Sequence, residues 1–437
     1  MTAYLLERAW VDGAVRDDVR VEVVDGRFVS VLPDRCQDPR STGDLGTRLP
    51  GLTLPGLANA HSHAFHRALR GRTQRERGTF WTWREQMYDV AARLDPDSYR
   101  RLATAVFREM VAAGITTVGE FHYLHHQRGG TPYDDPNAMG HALVEAARDA
   151  GIRIALLDTC YLSGGFGAPV STAQLRYACG SAEAWASRVA QVRGSGGDQV
   201  VHGAAIHSVR AVPREQLPTV VDAARGGPLH VHLSEQVAEN EACLAAYGAT
   251  PAQVLHEAGA LGPDTTVVHA THLTARDVEM LGGVSVCLTP TTERDLGDGI
   301  GPGRRLHEAG ARLSLGSDSH AVIDLFEEMR ALELDERLAT QQRGHWSAAE
   351  LLAAGTRHDS LGFPDAGRIA VGSRADLVTI ATDSPATAGT GADEQTAVFA
   401  ATAADVTHVV VDGRVVYDGD RAAIGRALHH EIQGLMS

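Results

Sequence analysis

The 437-residue chain contains no lysine; all 40 of its cationic side chains are arginines. That excludes chemistry built on a Schiff-base lysine, a phosphate-binding Walker lysine, or a carbamylated lysine bridging two metal ions. Cysteine is scarce, with five scattered residues at positions 36, 160, 179, 243 and 287. They are odd in number and form no Cys-x-x-Cys pair, so neither a disulfide scaffold nor a thiolate zinc cluster is indicated, and a reducing cytoplasm is the expected location. Long basic runs are missing too. With a net charge of -15 and a pI near 5.7, the chain lacks the phosphate-neutralising patch that nucleic acid requires. A few local arginines in a cleft can still hold a small anion. No apolar run reaches membrane-spanning length and the N-terminus lacks a basic segment followed by an apolar one, so a soluble protein with no membrane partner is expected.

A hydrophobic content of 43% in a chain this long supports a large core, with one big α/β domain and a smaller one. Short alternating segments occur at both ends. Val21 to Val31 carries an Asp-Gly hairpin signal, and similar patterns recur at Ala375–Ile380 and Val409–Tyr417. The termini are therefore expected to share one β-sandwich domain, residues 1–50 with 370–437. Between them, in residues 51–369, eight short apolar strands alternate with helical stretches. The strands are expected to end near His63, His122, Thr159, His207, His232, His269, Thr289 and Asp318. Tyr99–Met110 has helical spacing, with Gly114 as a stop. Eight such units with polar residues gathered at the strand C-termini predict a (β/α)8 TIM-like barrel rather than an open doubly wound sheet.

The stretch Asn59-Ala60-His61-Ser62-His63-Ala64-Phe65-His66-Arg67 organises the chemistry. It follows an apolar run, and alternation along a strand points His61 and His63 the same way. Such a pair is a weak signal alone. Further ligand types stand at later strand ends: His232 after the fifth strand, His269 after the sixth, Asp318 after the eighth. Singly, His232 could pack inside the barrel and Asp318 could cap a loop. Together, His61, His63, His232 and Asp318 supply three neutral nitrogens and one anionic oxygen, a donor set for one divalent ion with a position left for water whose pKa the metal lowers. Glu235, three residues past His232, is placed to shuttle a proton as general acid/base. His269, with Asp318, is placed to orient the water. The absence of lysine removes the bridging carbamate that would hold two metals, so one is expected.

These residues resemble the amidohydrolase superfamily over nearly the whole chain, through Pro55-Gly56-Leu57-x-Asn59-x-His61-x-His63, His232-x-x-Glu235, His269 and Ser317-Asp318-Ser319-His320. The pattern is similar to the mononuclear deaminase branch, which implies Zn2+. More narrowly, His61–Arg67, Phe80-Trp81-Thr82-Trp83-Arg84-Glu85, Gly119–His126 and His207-Ser208-Val209-Arg210 resemble the formimidoylglutamate deiminase family of histidine degradation. That resemblance implies hydrolysis of N-formimino-L-glutamate to N-formyl-L-glutamate and ammonia, with Arg84, Tyr123, His207 and Arg210 as substrate residues. Two arginines suit a small dianionic substrate, since each can grip a carboxylate bidentately. His66 stands where that family often has glutamine; it keeps the ability to donate one hydrogen bond. The expected assembly is a homodimer. The rival within the same barrel is a deaminase or chlorohydrolase acting on a heterocycle, which would want an apolar pocket without two carboxylate-binding arginines. A silent scaffold barrel would have lost ligands, and none of the expected ligands is missing.

Overall fold

The computed structural model describes residues 1–33, 46–74 and 80–436; Cys36 lies outside these, as do the side chains of Phe80 and Trp81. Four strands open the chain, β1 (Thr2–Val11), β2 (Ala14–Val24), β3 (Arg27–Pro33) and β4 (Thr47–Pro55). The turns between the first three are Asp12-Gly13 and Asp25-Gly26, with φ of 50° and 75°, and 49° and 76°. Positive φ at both turn residues matches the twist of a two-residue hairpin, which is why Asp-Gly marks them in the sequence.

Eight strands follow: β5 (Leu57–Ser62), β6 (Ile115–His122), β7 (Arg153–Cys160), β8 (Val200–Ile206), β9 (Leu229–Leu233), β10 (Thr265–His269), β11 (Ser285–Leu288) and β12 (Arg312–Leu315). Each pairs in parallel with its neighbour in sequence, and every residue of β5, β6, β7 and β9 is buried. Parallel strands covered on both faces must be apolar almost throughout. The polar residues inside them therefore need another reason to be there. The barrel closes between its last and first strands through a parallel bridge joining Ser62 to Asp318 and a hydrogen bond from Asp318 N–H to the His61 carbonyl, 3.0 Å.

Helices alternate with the strands. The one at Pro96–Ala112 starts on an Asp95 cap closed reciprocally with Ser98, buries Leu102, Val106 and Met110 against the barrel, and stops before Gly114 at φ 90°. After the barrel come β13 (Leu377–Ile380), β14 (Val406–Val411) and β15 (Arg414–Tyr417). They join the N-terminal strands in one mixed seven-stranded sheet, ordered β15-β14-β13-β4-β1-β2-β3. The β domain expected from both termini is this sheet.

Sheet and barrel meet at Gly56, where a Cβ would fall 2.9 Å from that of Asp376 and closer still to Thr116. Beside it Arg153 of β7, wholly buried, pairs with Asp376 bidentately and with Asp412 at 2.9 Å. Burial lowers the Arg153 pKa to about 10, against the pull of Asp412.

Candidate metal centre and cleft

Each donor of the candidate centre sits at a barrel strand end. His61 and His63 leave β5 on one face, His232 is on β9, and Asp318 follows β12. One ligand atom from each of His61, His63 and His232 falls within 4.8 Å of the others, and Asp318 Oδ1 lies 3.3 Å from both His61 Nε2 and His63 Nε2. The hydrogen bonds of the outward ring nitrogens set the chemistry. His63 Nδ1 is 2.9 Å from the Phe121 carbonyl and His232 Nδ1 is 2.9 Å from the His207 carbonyl. A carbonyl only accepts, so both Nδ1 atoms carry the proton and both Nε2 atoms present bare lone pairs inward. His232 Nε2 then faces His61 Nε2 at 3.1 Å. Burial keeps His61 neutral, with a pKa lowered to about 3, and holds His232 well below the usual histidine value. Burial alone would raise the Asp318 carboxyl, but the close approach of the His61 and His63 rings at 3.3 Å holds it well below the usual carboxylate range. Converging neutral nitrogens and an anionic oxygen are what a divalent cation of the zinc type requires, so these residues fit one.

Glu235 lies beyond β9 with 14% of its side chain exposed, its Oε1 3.9 Å from His269 Nε2. His269 Nε2 is also 3.9 Å from Asp318 Oδ2, and Nδ1 approaches Glu293 at 3.6 Å and Thr289 at 3.2 Å. Burial lowers the His269 pKa, yet Glu235, Glu293 and Asp318 outweigh it and lift the value to about 10. Backbone strain collects here as well. Ser234, His269, Ala270, Asp318 and His320 all have φ between 37° and 70°. Non-glycine residues avoid that region, and such outliers concentrate at functional sites.

The cleft above these residues encloses about 590 Å³ of space, its open mouth included. Its wall brings together the remaining residues singled out in the sequence: Arg84, Tyr123, His207, Arg210 and His66. Arg84 donates from Nε to the Tyr88 hydroxyl at 2.6 Å. His66 Nε2 bonds the Tyr123 hydroxyl at 2.9 Å, so this imidazole holds the phenol in place. Among the described residues no hydrogen bond or ion pair closes on the Arg210 guanidinium. Burial would lower its pKa, but the fields of Glu239 and Glu235 raise it.

Sequence reasoning missed Tyr88, Tyr161 and Tyr177 in the wall and Glu293 and Asp298 behind Glu235. A signal existed for two of them. Tyr88 is four residues from Arg84 on the helix Phe80–Ala91, and Tyr161 directly follows β7. Asp298 is raised to about 8 by burial and by Glu235, which nothing local announces. A second buried group, His122, His125 and Asp158, also has ligand-like proximity. Arg188 already grips Asp158 bidentately at 2.6 and 2.7 Å, and Trp185 donates to it at 3.0 Å. That carboxylate is committed to a guanidinium, so the group is an ion-pair network.

Residues 52–416 match the model of the amidohydrolase family. A formimidoylglutamate deiminase from Pseudomonas aeruginosa is 36% identical over 100% of this chain and 99% of its own. The chain belongs to the amidohydrolase family. Among other amidohydrolases, a 5-methylthioadenosine/S-adenosylhomocysteine deaminase of Halobacterium salinarum is 28% identical over 84% of this chain and 81% of its own. The crystal structure of an amidohydrolase from Brucella melitensis superposes with a TM-score of 0.90 at 29% identity, covering 100% of both chains. The nearly closed eight-stranded barrel with a separate sheet from the termini is thus the amidohydrolase fold. Members of the family bind a metal and act on C–N bonds, and none of the described helices is long and apolar enough to cross a membrane.

Proposed function

We propose that this amidohydrolase hydrolyses N-formimino-L-glutamate to N-formyl-L-glutamate and ammonia, a step of histidine catabolism in the cytoplasm. The observation that carries the reading is Arg210, a half-buried guanidinium with no counter-ion at bonding distance among the described residues, in one cleft with Arg84 and the donor cluster. A partly desolvated cation without a bonded partner is costly, and a substrate carboxylate would satisfy it. The full-length similarity to a formimidoylglutamate deiminase supports the same assignment.

The residues would divide the work as follows. His61, His63, His232 and Asp318 would hold one divalent ion, Zn2+ by the chemistry of the donor set; when bound, it supplies Lewis acidity that lowers the pKa of a water. Arg210 and Arg84 would take the two carboxylates, with Tyr123, His207 and His66 adding hydrogen bonds. Glu235 would accept a proton of the attacking water and pass it to the imino nitrogen, then carry the second proton from the resulting hydroxyl to the same nitrogen, so that the carbonyl forms as the C–N bond breaks and ammonia leaves. His269, charged in the field of its three carboxylate neighbours, would steady the oxygen on which negative charge develops.

The rival reading, deamination of a heterocycle, has support from relatives such as the 5-methylthioadenosine/S-adenosylhomocysteine deaminase. The test is to supply metal-loaded protein with N-formimino-L-glutamate and follow ammonia against formamide. Ammonia and N-formyl-L-glutamate are the expected products. No ammonia from this substrate, with turnover of a heterocyclic amine instead, overturns the assignment.

A further inference from the structure

The amidohydrolase barrel closes between β12 and β5 by one bridge rather than a ladder of strand pairs. Three of the four metal donors hang on the two chain segments that meet there. Side chains do the joining. Asn59 and Ser317 exchange two hydrogen bonds, from Asn59 Nδ2 to Ser317 Oγ at 2.7 Å and from Ser317 N–H to Asn59 Oδ1 at 2.9 Å. A second set runs through a carboxylate that no catalytic step uses. Glu120 of β6 is fully buried; its Oε1 accepts from Ala64 N–H at 2.6 Å and its Oε2 accepts from the Ser62 hydroxyl at 2.6 Å. The Ser62 oxygen lies 3.0 Å from His320 Nε2.

We propose that Glu120 is a positioning residue for the metal donors, acting through Ser62 and His320 across the barrel seam. Ser62 separates His61 from His63, and Ala64 follows His63, so one carboxylate fixes the chain on both sides of His63. With the Ser62 proton given to Glu120, the serine oxygen accepts from His320 Nε2–H. His320 Nδ1 is then a bare acceptor, in agreement with its having no hydrogen-bond partner. Because Asp318 precedes His320 by two residues and donates its own N–H to His61, the relay ties the Asp318 loop to the strand carrying His61 and His63. Outer hydrogen bonds that orient ligands usually carry a 10- to 100-fold share of metal affinity.

Glu120→Gln keeps the shape but must donate to Ser62, which reverses the relay and forces the other His320 tautomer. Ser62→Ala removes the middle link with little loss of volume. Asp277→Asn is the matched control, since Asp277 is also a fully buried carboxylate, accepting a backbone N–H from Thr274 and a hydroxyl from Thr250, away from the seam. Apo full-length protein is titrated with Zn2+ against a chromophoric chelator, and its Co2+ form is examined by visible absorption. We expect Kd to rise about 10- to 100-fold in Glu120→Gln and in Ser62→Ala, with altered Co2+ bands. The double variant should be no weaker than the weaker single, and Asp277→Asn should bind as wild type. Wild-type affinity and spectrum in Ser62→Ala overturn the proposal even if Glu120→Gln does not fold. An equal loss in Asp277→Asn overturns it as well.

Discussion

At the scale of single residues, the site is set by where protons are refused. His232 turns a bare Nε2 towards His61 Nε2 at 3.1 Å, while the group expected to move a proton, Glu235, keeps partial contact with solvent. Replacing Glu235 by Gln leaves the four donors untouched. Turnover is therefore expected to fall by about 10²- to 10⁴-fold with metal content unchanged, as read by elemental analysis beside steady-state kinetics. Retained turnover removes Glu235 from the mechanism. Arg210→Met deletes a charge-assisted contact worth roughly 1.5–3 kcal/mol; KM for N-formimino-L-glutamate should rise by about 10- to 100-fold, and an unchanged KM would place the substrate carboxylate elsewhere. The donors were legible because strand alternation and strand-end position are local properties of sequence, whereas the cleft residues were read through the family resemblance. Glu120 was not. Its partners Ser62 and Ala64 lie 58 and 56 positions away, and no periodicity reports a contact across a barrel seam.

At the scale of elements, the eight barrel strands could be read as short apolar runs, and their ends fall where the runs end. What could not be read is how closely the last strand approaches the first. At Gly316, just after β12, an added Cβ would lie 2.8 Å from His61 Cβ and 2.9 Å from its backbone N and O. No flexible side-chain end is available to yield. Gly316→Ala should therefore displace β5 or the Asp318 loop, costing about 1–3 kcal/mol of stability and weakening Zn2+ binding. Thermal melts of the apo protein with a parallel metal titration check it, and unchanged values in both would show that the seam tolerates separation. Likewise the Asp-Gly turns announced the hairpins, but the crossing from sheet to barrel at Gly56 depends on Thr116 and Asp376, which the sequence places far apart.

At the scale of the whole molecule, buried histidine governs the response to acid. His122, His230 and His358 lie outside the donor set, and burial lowers their pKa values to about 4, about 4 and about 3. In the unfolded chain each titrates near 6.5. Their folded values are the lower ones, so as pH falls below about 6.5 the unfolded state takes up protons the fold refuses. Stability present at neutral pH is lost, by up to about 1.4 kcal/mol per pH unit for each histidine, until the folded values are reached. The thermal midpoint should drop steeply between pH 6.5 and 4.5, and His230→Gln should flatten that slope; a level midpoint refutes the account. The closed seam has a further consequence, in the order of synthesis. His61 and His63 leave the ribosome some 250 residues before Asp318, and β4 waits longer still for β13 to cover its edge. No nascent fragment short of Asp318 can bring the four candidate donors together, so the proposed site is completed only after most of the barrel has been synthesised.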